Sequence, residues 1–275
     1  MHNFLFSASH IWHLRAYIFQ ARSILAADNS GLSDAYVRCS FQGYSQETQI
    51  IQQSLCPTWD ETLIYEQIDM CGDPKSIEYS PPPITPVVRL DPETSWRNIL
   101  QWYTIEKQGK KAGDILAAFE LILLDGKTPP PPPTRRGTLF NVPEGIRPVL
   151  QRTGIEILCW GVRSMRKYKL SSVNSPSVEF EIGGKVVEST IIKSVKKNPN
   201  FSLPLLFLDV LLPKEEIYLP PMNICVRDHR AFGQKPIVGV HVLTDFQEFK
   251  VLPRTSQTDI LMDIQSKLFS LNNIW

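Results

Sequence analysis

No apolar run in this sequence reaches the roughly 18 to 20 uninterrupted residues that a membrane-crossing helix needs, so no transmembrane segment is expected within it. Charge of one sign is also missing. The 29 Lys+Arg are matched by 28 Asp+Glu, a formal +1, and no global field selects nucleic acid. Cysteine is sparse: Cys39, Cys56, Cys71, Cys159 and Cys225 are scattered, with no CxxC and no Cys/His ligand spacing. Most of them fall in or beside expected strands, where a reduced thiol acts as a small hydrophobe, so they point to a reducing, cytosol-facing environment. There is no Gly-rich phosphate loop, no GxSxG and no HExxH. The histidines at 2, 10, 13, 229 and 241 lie in the leader, in strands or in a loop, and Cys159 beside Trp160 reads as core rather than nucleophile. No catalytic arrangement emerges, and a non-enzymatic protein is expected.

What is present is enough apolar residue, 43% of 275, to build one large or two ordinary cores. The stretch from His13 to Leu63 organises the rest. Leu14, Ala16 and Ile18 alternate with Arg15, Tyr17 and Phe19, the period of two of a half-buried strand. A loop follows with Asp28 and Asp34 at its ends and Gly31 between them. Strands are expected over 35–41, 46–53 and 61–68, the last entered through Pro57-Thr-Trp59-Asp60.

This order of residues resembles the opening half of a C2 domain, which implies an antiparallel β-sandwich that binds calcium and phospholipid through loops at one end. On that resemblance Asp28 and Asp34 match the two aspartates of the first calcium loop, making Ca2+ the implied cofactor, and Pro57-Thr-Trp59-Asp60 is similar to the family's corner motif. The residues alone leave a second reading open, in which both aspartates only cap a turn. A narrower resemblance comes from the stretches beginning at Arg152, Ser175, Lys197 and Leu212 (Arg-Thr-Gly-Ile-Glu-Ile-Leu-Cys-Trp, Ser-Pro-Ser-Val-Glu, Lys-Asn-Pro-Asn-Phe and Leu-Pro-Lys-Glu-Glu). These look like a C2 domain of the ferlins, large multi-C2, tail-anchored proteins of membrane fusion and repair. The match runs from about His13 to Phe246, as a short isoform or fragment of a ferlin would show.

The resulting expectation is an all-β chain of two C2-type antiparallel β-sandwiches: 1–11 leader, 12–125 first domain, 126–149 proline-rich linker, 150–248 second domain and 249–275 tail. The first domain departs from the C2 pattern after Pro83-Ile84, where a central strand and the third calcium loop look deleted, as exon skipping would leave them. The turn Asp91-Pro-Glu93 does not replace the missing Asp-x-Asp. Trp102 to Ile105 and Asp114 to Leu124 carry the last two strands. Five prolines, Pro129 to Pro133, form a stiff extended spacer that an SH3-type partner could also read.

The second domain repeats the first. Pro57 and Pro199, and Trp59 and Phe201, are each 142 residues apart, as two copies of one module require. Gly183-Gly184 between 177–182 and 186–192 signals a hairpin; 207–211, 222–227 and 237–243 are further strands. The last strand is missing, or served by Phe249-Lys-Val-Leu, and Thr258 to Leu271 has helical spacing. This copy's first loop has no carboxylate, and its facing loop reads Asp228-His229-Arg230, so it is expected to be calcium-independent. From Arg147 to Asn200 ten Lys/Arg face four Glu. Arg163, Arg166, Lys167 and Lys169 near one loop, and Lys193, Lys196 and Lys197 near another, are the expected contacts to an anionic phospholipid surface. With no aromatic stacking platform, nucleic acid is not expected. The function implied is peripheral binding at the cytosolic face of membranes, linked to calcium-dependent vesicle fusion and plasma-membrane organisation, with the calcium part weakened. A protein-interaction module, or a poorly folded splice isoform with exposed strand edges, is the alternative.

Overall fold

Strand β1 (Ser9–Arg22) lies between β4 (Thr58–Cys71) and β6 (Lys110–Leu123), antiparallel to both. In this computed structural model, which describes residues 9–26, 31–71, 88 and 97–251, the six-stranded and four-stranded sheets and the hairpin over 38–47 are antiparallel throughout. The other strands are β2 (Arg38–Phe41), β3 (Tyr44–Glu47), β5 (Gln101–Lys107), β7 (Arg135–Arg136), β8 (Leu139–Phe140), β9 (Leu150–Leu158), β10 (Pro176–Ile182), β11 (Lys185–Glu188), β12 (Leu205–Pro213), β13 (Met222–Asp228) and β14 (Ile237–Leu243). Two compact units result: Met1–Arg152 with Leu211–Pro220, and Thr153–Val210 with Pro221–Trp275.

The first unit holds a six-stranded sheet in the order β5-β6-β1-β4-β8-β7, and the β2-β3 hairpin. Alternation along β1 predicts one buried face; the structure buries both. Leu14, Ala16 and Ile18 join Trp59, Leu63, Tyr65, Ile115 and Phe119 on one side. Tyr17 and Phe19 join Leu100, Leu116, Ala118 and Val142 on the other. Gln20 and Arg15 are buried because hydrogen bonds replace their water. Gln20 donates to the Tyr218 carbonyl at 2.6 Å, and Arg15 donates to the carbonyls of Pro130 and Pro131. The segment 126–149 is thus fastened to β1, and it adds the short β7-β8 ladder beside β4 at Thr62↔Phe140.

Local differences from the expected strands have local causes. Ala35 makes only an isolated bridge to Ile51, and the regular strand begins at Arg38. Residues 61–68 are the middle of the longer β4. The expected central deletion falls on 72–96, of which only Val88 and nothing else is described before residue 97.

The second unit has a four-stranded sheet, β11-β10-β13-β14, and the β9-β12 pair. Val178 and Phe180 stand opposite Val226 and Ile224, and all four are buried, as are Ile182 and Met222. On the other face Arg227 pairs with Glu179 at 2.6 Å and Asn223 donates to Glu181 at 2.9 Å. The Gly183-Gly184 hairpin is present: φ is +56° and +74°, and Ile182 pairs with Lys185, the two positive φ values that a type I′ turn demands. The expected strand 186–192 ends early at Glu188. There Ser189 N still donates to Val178 O at 2.8 Å, but the return bond from Val178 N goes to the Ser189 hydroxyl, which donates to Thr190 O, so a side chain takes one of the two ladder bonds. Residues Gln247–Phe249 form a 3-10 turn, so Phe249 does not open a closing strand. The helical pattern at 258–271 lies outside the described residues.

Candidate functional site at the loop end of the second unit

Three connections of the second unit, 159–175, 189–204 and 229–236, are tied to one another by backbone and side-chain bonds. His229 N donates to Ser175 O at 2.9 Å, Val195 N to Asn174 O at 2.9 Å, Ile192 N to Pro176 O at 3.0 Å and Val162 N to Pro199 O at 3.0 Å. The Ser175 hydroxyl donates to Lys193 O at 3.0 Å. These bonds collect the seven expected basic residues on connected loops. Arg163 has a structural tie, donating to the carbonyls of Val162 and Pro199 and to Asn200 Oδ1. Arg166, Lys167, Lys169, Lys193, Lys196 and Lys197 are all exposed.

Two residues that sequence reasoning passed over stand at the tips. Leu170 is 96% exposed and Phe232 fully so. Leu170 sits in a turn closed by reciprocal bonds between Tyr168 and Ser171 at 3.0 and 3.2 Å. Phe232 has φ +59°, unusual for a bulky side chain, at the apex of a loop closed by Arg230 N to Gln234 O at 2.9 Å and Asp228 N to Pro236 O at 3.0 Å. The signal available in the sequence was weak: a single apolar residue within Lys-Tyr-Lys-Leu-Ser and within Arg-Ala-Phe-Gly.

Asp228 closes β13 and is 1% exposed. Its Oδ1 accepts from Asn174 N (3.0 Å) and Ser175 N (2.9 Å), and its Oδ2 accepts from Arg230 Nε (2.8 Å). Burial alone would raise its pKa. The Arg230 hydrogen bond and the two backbone N–H groups outweigh that and hold it below the usual carboxylate range. Arg230 also lies 5.7 Å from the Tyr168 ring centroid, and Lys169 Nζ lies 5.5 Å from it, within cation–π range.

A neighbouring trio superficially resembles a hydrolase site. Ser177 Oγ is 2.8 Å from His229 Nε2 and donates to Glu188 Oε1 at 2.7 Å, while Glu188 is 3.7 Å from the same histidine nitrogen. Carboxylate and hydroxyl therefore share one edge of the imidazole, whereas a triad needs them on opposite nitrogens. Ser177 is also fully buried. The thiols of Cys159 and Cys225 are buried, and burial pushes them up to about 12 and about 11, far from a nucleophile's range.

In the first unit, Asp34 Oδ1 accepts from Gln53 N at 2.9 Å; Asp28 and the Asp91-Pro-Glu93 turn lie outside the described residues. Of the two expected calcium ligands only Asp34 is among the described residues, and one of its oxygens is already engaged. Among the described residues no group of three or more His, Cys, Asp or Glu could hold a metal ion. No helix among them is long and apolar enough to cross a membrane.

A family model described as C2 domain matches residues 12–77, and the antiparallel sheets around β1 and β4 fit that class. Myoferlin of Mus musculus is 41% identical over 289 aligned residues, covering 96% of this chain, and myoferlin of Homo sapiens is 40% identical over the same share. Fer-1-like protein 4 of Mus musculus is 32% identical over 86% of the chain. The chain belongs to the ferlin family, and it spans 14% of the length of each of these relatives. Among solved structures, a tandem pair of C2 domains from extended-synaptotagmin 2 aligns over 91% of this chain and 84% of that one, at 14% identity and a TM-score of 0.30.

Proposed function

We propose that the second unit docks on anionic phospholipid membranes through its loop end, as a peripheral module at the cytosolic face, within the membrane-fusion and plasma-membrane work of a ferlin. The observation that supports this most is the pair Leu170 and Phe232, exposed at the tips of two connected loops with Arg166, Lys167, Lys169, Lys193, Lys196 and Lys197 on the same set of loops. Burying each apolar tip in the headgroup–acyl boundary gains about 1.5–3 kcal/mol, and each basic residue near the surface adds about 1 kcal/mol. Calcium, on this reading, is an accessory of the first unit through Asp28 and Asp34, and weak, because most of its shell would be water.

Sedimentation of the whole chain with phosphatidylserine vesicles tests the reading. Binding is expected in chelator as well as in calcium, and it fades at high salt as the basic contribution is screened. Arg166→Gln/Lys167→Gln should weaken it about thirtyfold, from two lost contributions of about 1 kcal/mol. Binding that ignores both salt and this double substitution would remove the basic loops from the function. Any increment from calcium should disappear in Asp34→Asn.

A second reading has its own observation. Pro129 to Pro132 are exposed, while buried Arg15 holds the carbonyls of Pro130 and Pro131. The run continues Pro133-Thr134-Arg135, a PxxP core followed by a cation that an SH3-type groove reads. An isolated SH3 domain should then bind the chain and lose most of its affinity in Pro130→Ala/Pro133→Ala. Equal binding to that variant would dismiss the partner.

A further inference from the structure

We infer that Arg230 is the resident cation of the second unit's loop end: its guanidinium takes the place an external divalent ion would have, so the two apolar tips are held together without calcium. The inference rests on the docking function proposed above and concerns how that site is regulated.

The starting point is Asp228, a carboxylate 1% exposed at the end of β13. A buried carboxylate needs both a countercharge and filled lone pairs. Asp228 Oδ1 obtains two backbone N–H groups from residues 174 and 175, which fixes the connection leading to β10. Asp228 Oδ2 obtains Arg230 Nε at 2.8 Å, from the connection leading to β14. The carboxylate is therefore the joint between the two loops, and the guanidinium neutralises it. The same guanidinium reaches towards the Tyr168 ring at 5.7 Å, in the turn that presents Leu170. One cation thus links the base of the Phe232 loop, through its own backbone bond to Gln234, to the turn of Leu170.

Charge decides against a second ion here. A calcium ion is held by several carboxylates. This end offers Asp228, already balanced one for one by Arg230, and Lys169 adds a further positive charge beside Tyr168. A divalent ion would meet no vacant oxygen at Asp228, and the nearby acid Glu188 is already engaged through Oε1 by the Ser177 hydroxyl at 2.7 Å, with His229 Nε2 at 3.7 Å.

The test compares vesicles of phosphatidylserine in phosphatidylcholine with the whole chain, in calcium and in chelator, for four proteins. Wild type is expected to bind equally in both. Arg230→Met leaves Asp228 buried without its countercharge, and chelator-state affinity should fall at least about tenfold, well within the cost of breaking a buried pair. Asp228→Asn/Arg230→Met removes both charges, keeps an acceptor for residues 174 and 175, and should recover most of that loss. If the double variant is as defective as Arg230→Met, Arg230 touches lipid directly and the inference is overturned. It is also overturned if Arg230→Met binds like wild type, or if calcium strengthens wild-type binding and Arg230→Met abolishes that gain. Leu170→Ser/Phe232→Ser separates the two levels. Unchanged binding there sinks the docking function itself, whereas lost binding there with an unaffected Arg230→Met sinks only the role of Arg230. Thermal unfolding of each variant keeps the cycle readable if Arg230→Met loosens the unit, since the double variant should regain the lost melting temperature.

Discussion

Trp59→Ala is expected to cost the first unit about 3–5 kcal/mol, in the range of large aromatic truncations in a packed core. The ring is 2% exposed and touches both strands that define the sheet, in a cluster with Leu14, Ala16 and Ile18 of β1 and Leu63 and Tyr65 of β4. Its indole N–H donates to Gln49 O at 3.1 Å, so it also fixes the chain entering the Pro57 corner. That carbonyl keeps the Thr48 hydroxyl as a donor at 3.0 Å. The cost is therefore mostly cavity and lost burial, with little from an orphaned acceptor. Trp59→Phe, which keeps most of the volume and loses the hydrogen bond, should cost only about 1–2 kcal/mol. Hydrogen exchange resolved to β1, β4 and β6 should read the difference, with protection falling by roughly two to nearly four decades in the alanine variant at about 1.4 kcal/mol per decade. A change below one decade would mean that the corner is not what this core rests on. The loss would be a large share of the stability of a domain of this size, so the corner motif is where a single substitution should do most harm to the first unit.

How well the sequence announced the structure depended on the range of the interaction. Gly183-Gly184 could be read directly, because two positive φ values in a row are a local demand that glycine meets best. The middle of β4 was recognisable from its apolar run after Pro57-Thr-Trp59, but not its extension over Thr58–Cys71. The two-sided burial of β1 was not. Arg15 and Gln20 look like a solvated face, and only the return of residues 126–149 and 211–220 onto that face supplies the acceptors that let them be buried. The loop end of the second unit divides the same way. Its basic residues were evident as a charge excess. Leu170 and Phe232 were not, because one apolar residue in a loop is ordinary until its full exposure is seen. The run Asp228-His229-Arg230 was read in the sequence only as a loop that does not hold calcium. In three dimensions Arg230 is the acid's partner, and it holds two loops together.

Gly161→Ala should be among the most damaging single-atom-scale changes in the second unit, for a reason unrelated to glycine's conformational freedom. An added Cβ would lie 2.1 Å from Pro199 O, 2.8 Å from Asn200 Cα and 2.9 Å from Arg163 Nη1. Two of these three atoms are backbone and cannot swing aside, so the connections 159–175 and 189–204 must part. Parting breaks the Gly161↔Asn200 bridge and Val162 N to Pro199 O. It also strains Phe201 N to Trp160 O at 2.8 Å, next to Phe201, the counterpart of Trp59 in the repeat. Overpacking costs about 1–3 kcal/mol and each lost bond about 1 kcal/mol, so a loss of about 3 kcal/mol or more is expected, read as a lowered melting temperature. Gly154→Ala is the proper contrast. Its Cβ would meet only the ring edge of Phe207 at 3.2 Å, a side chain 61% exposed that can turn away, and the cost should stay within about 1 kcal/mol. The two variants should differ even more in vesicle binding. Gly161→Ala separates the loop of Arg166, Lys167 and Lys169 from the loop of Lys193, Lys196 and Lys197, while Gly154→Ala leaves that end untouched. If both variants bound vesicles alike, the joined loops would not be the membrane-facing surface, whatever their charge.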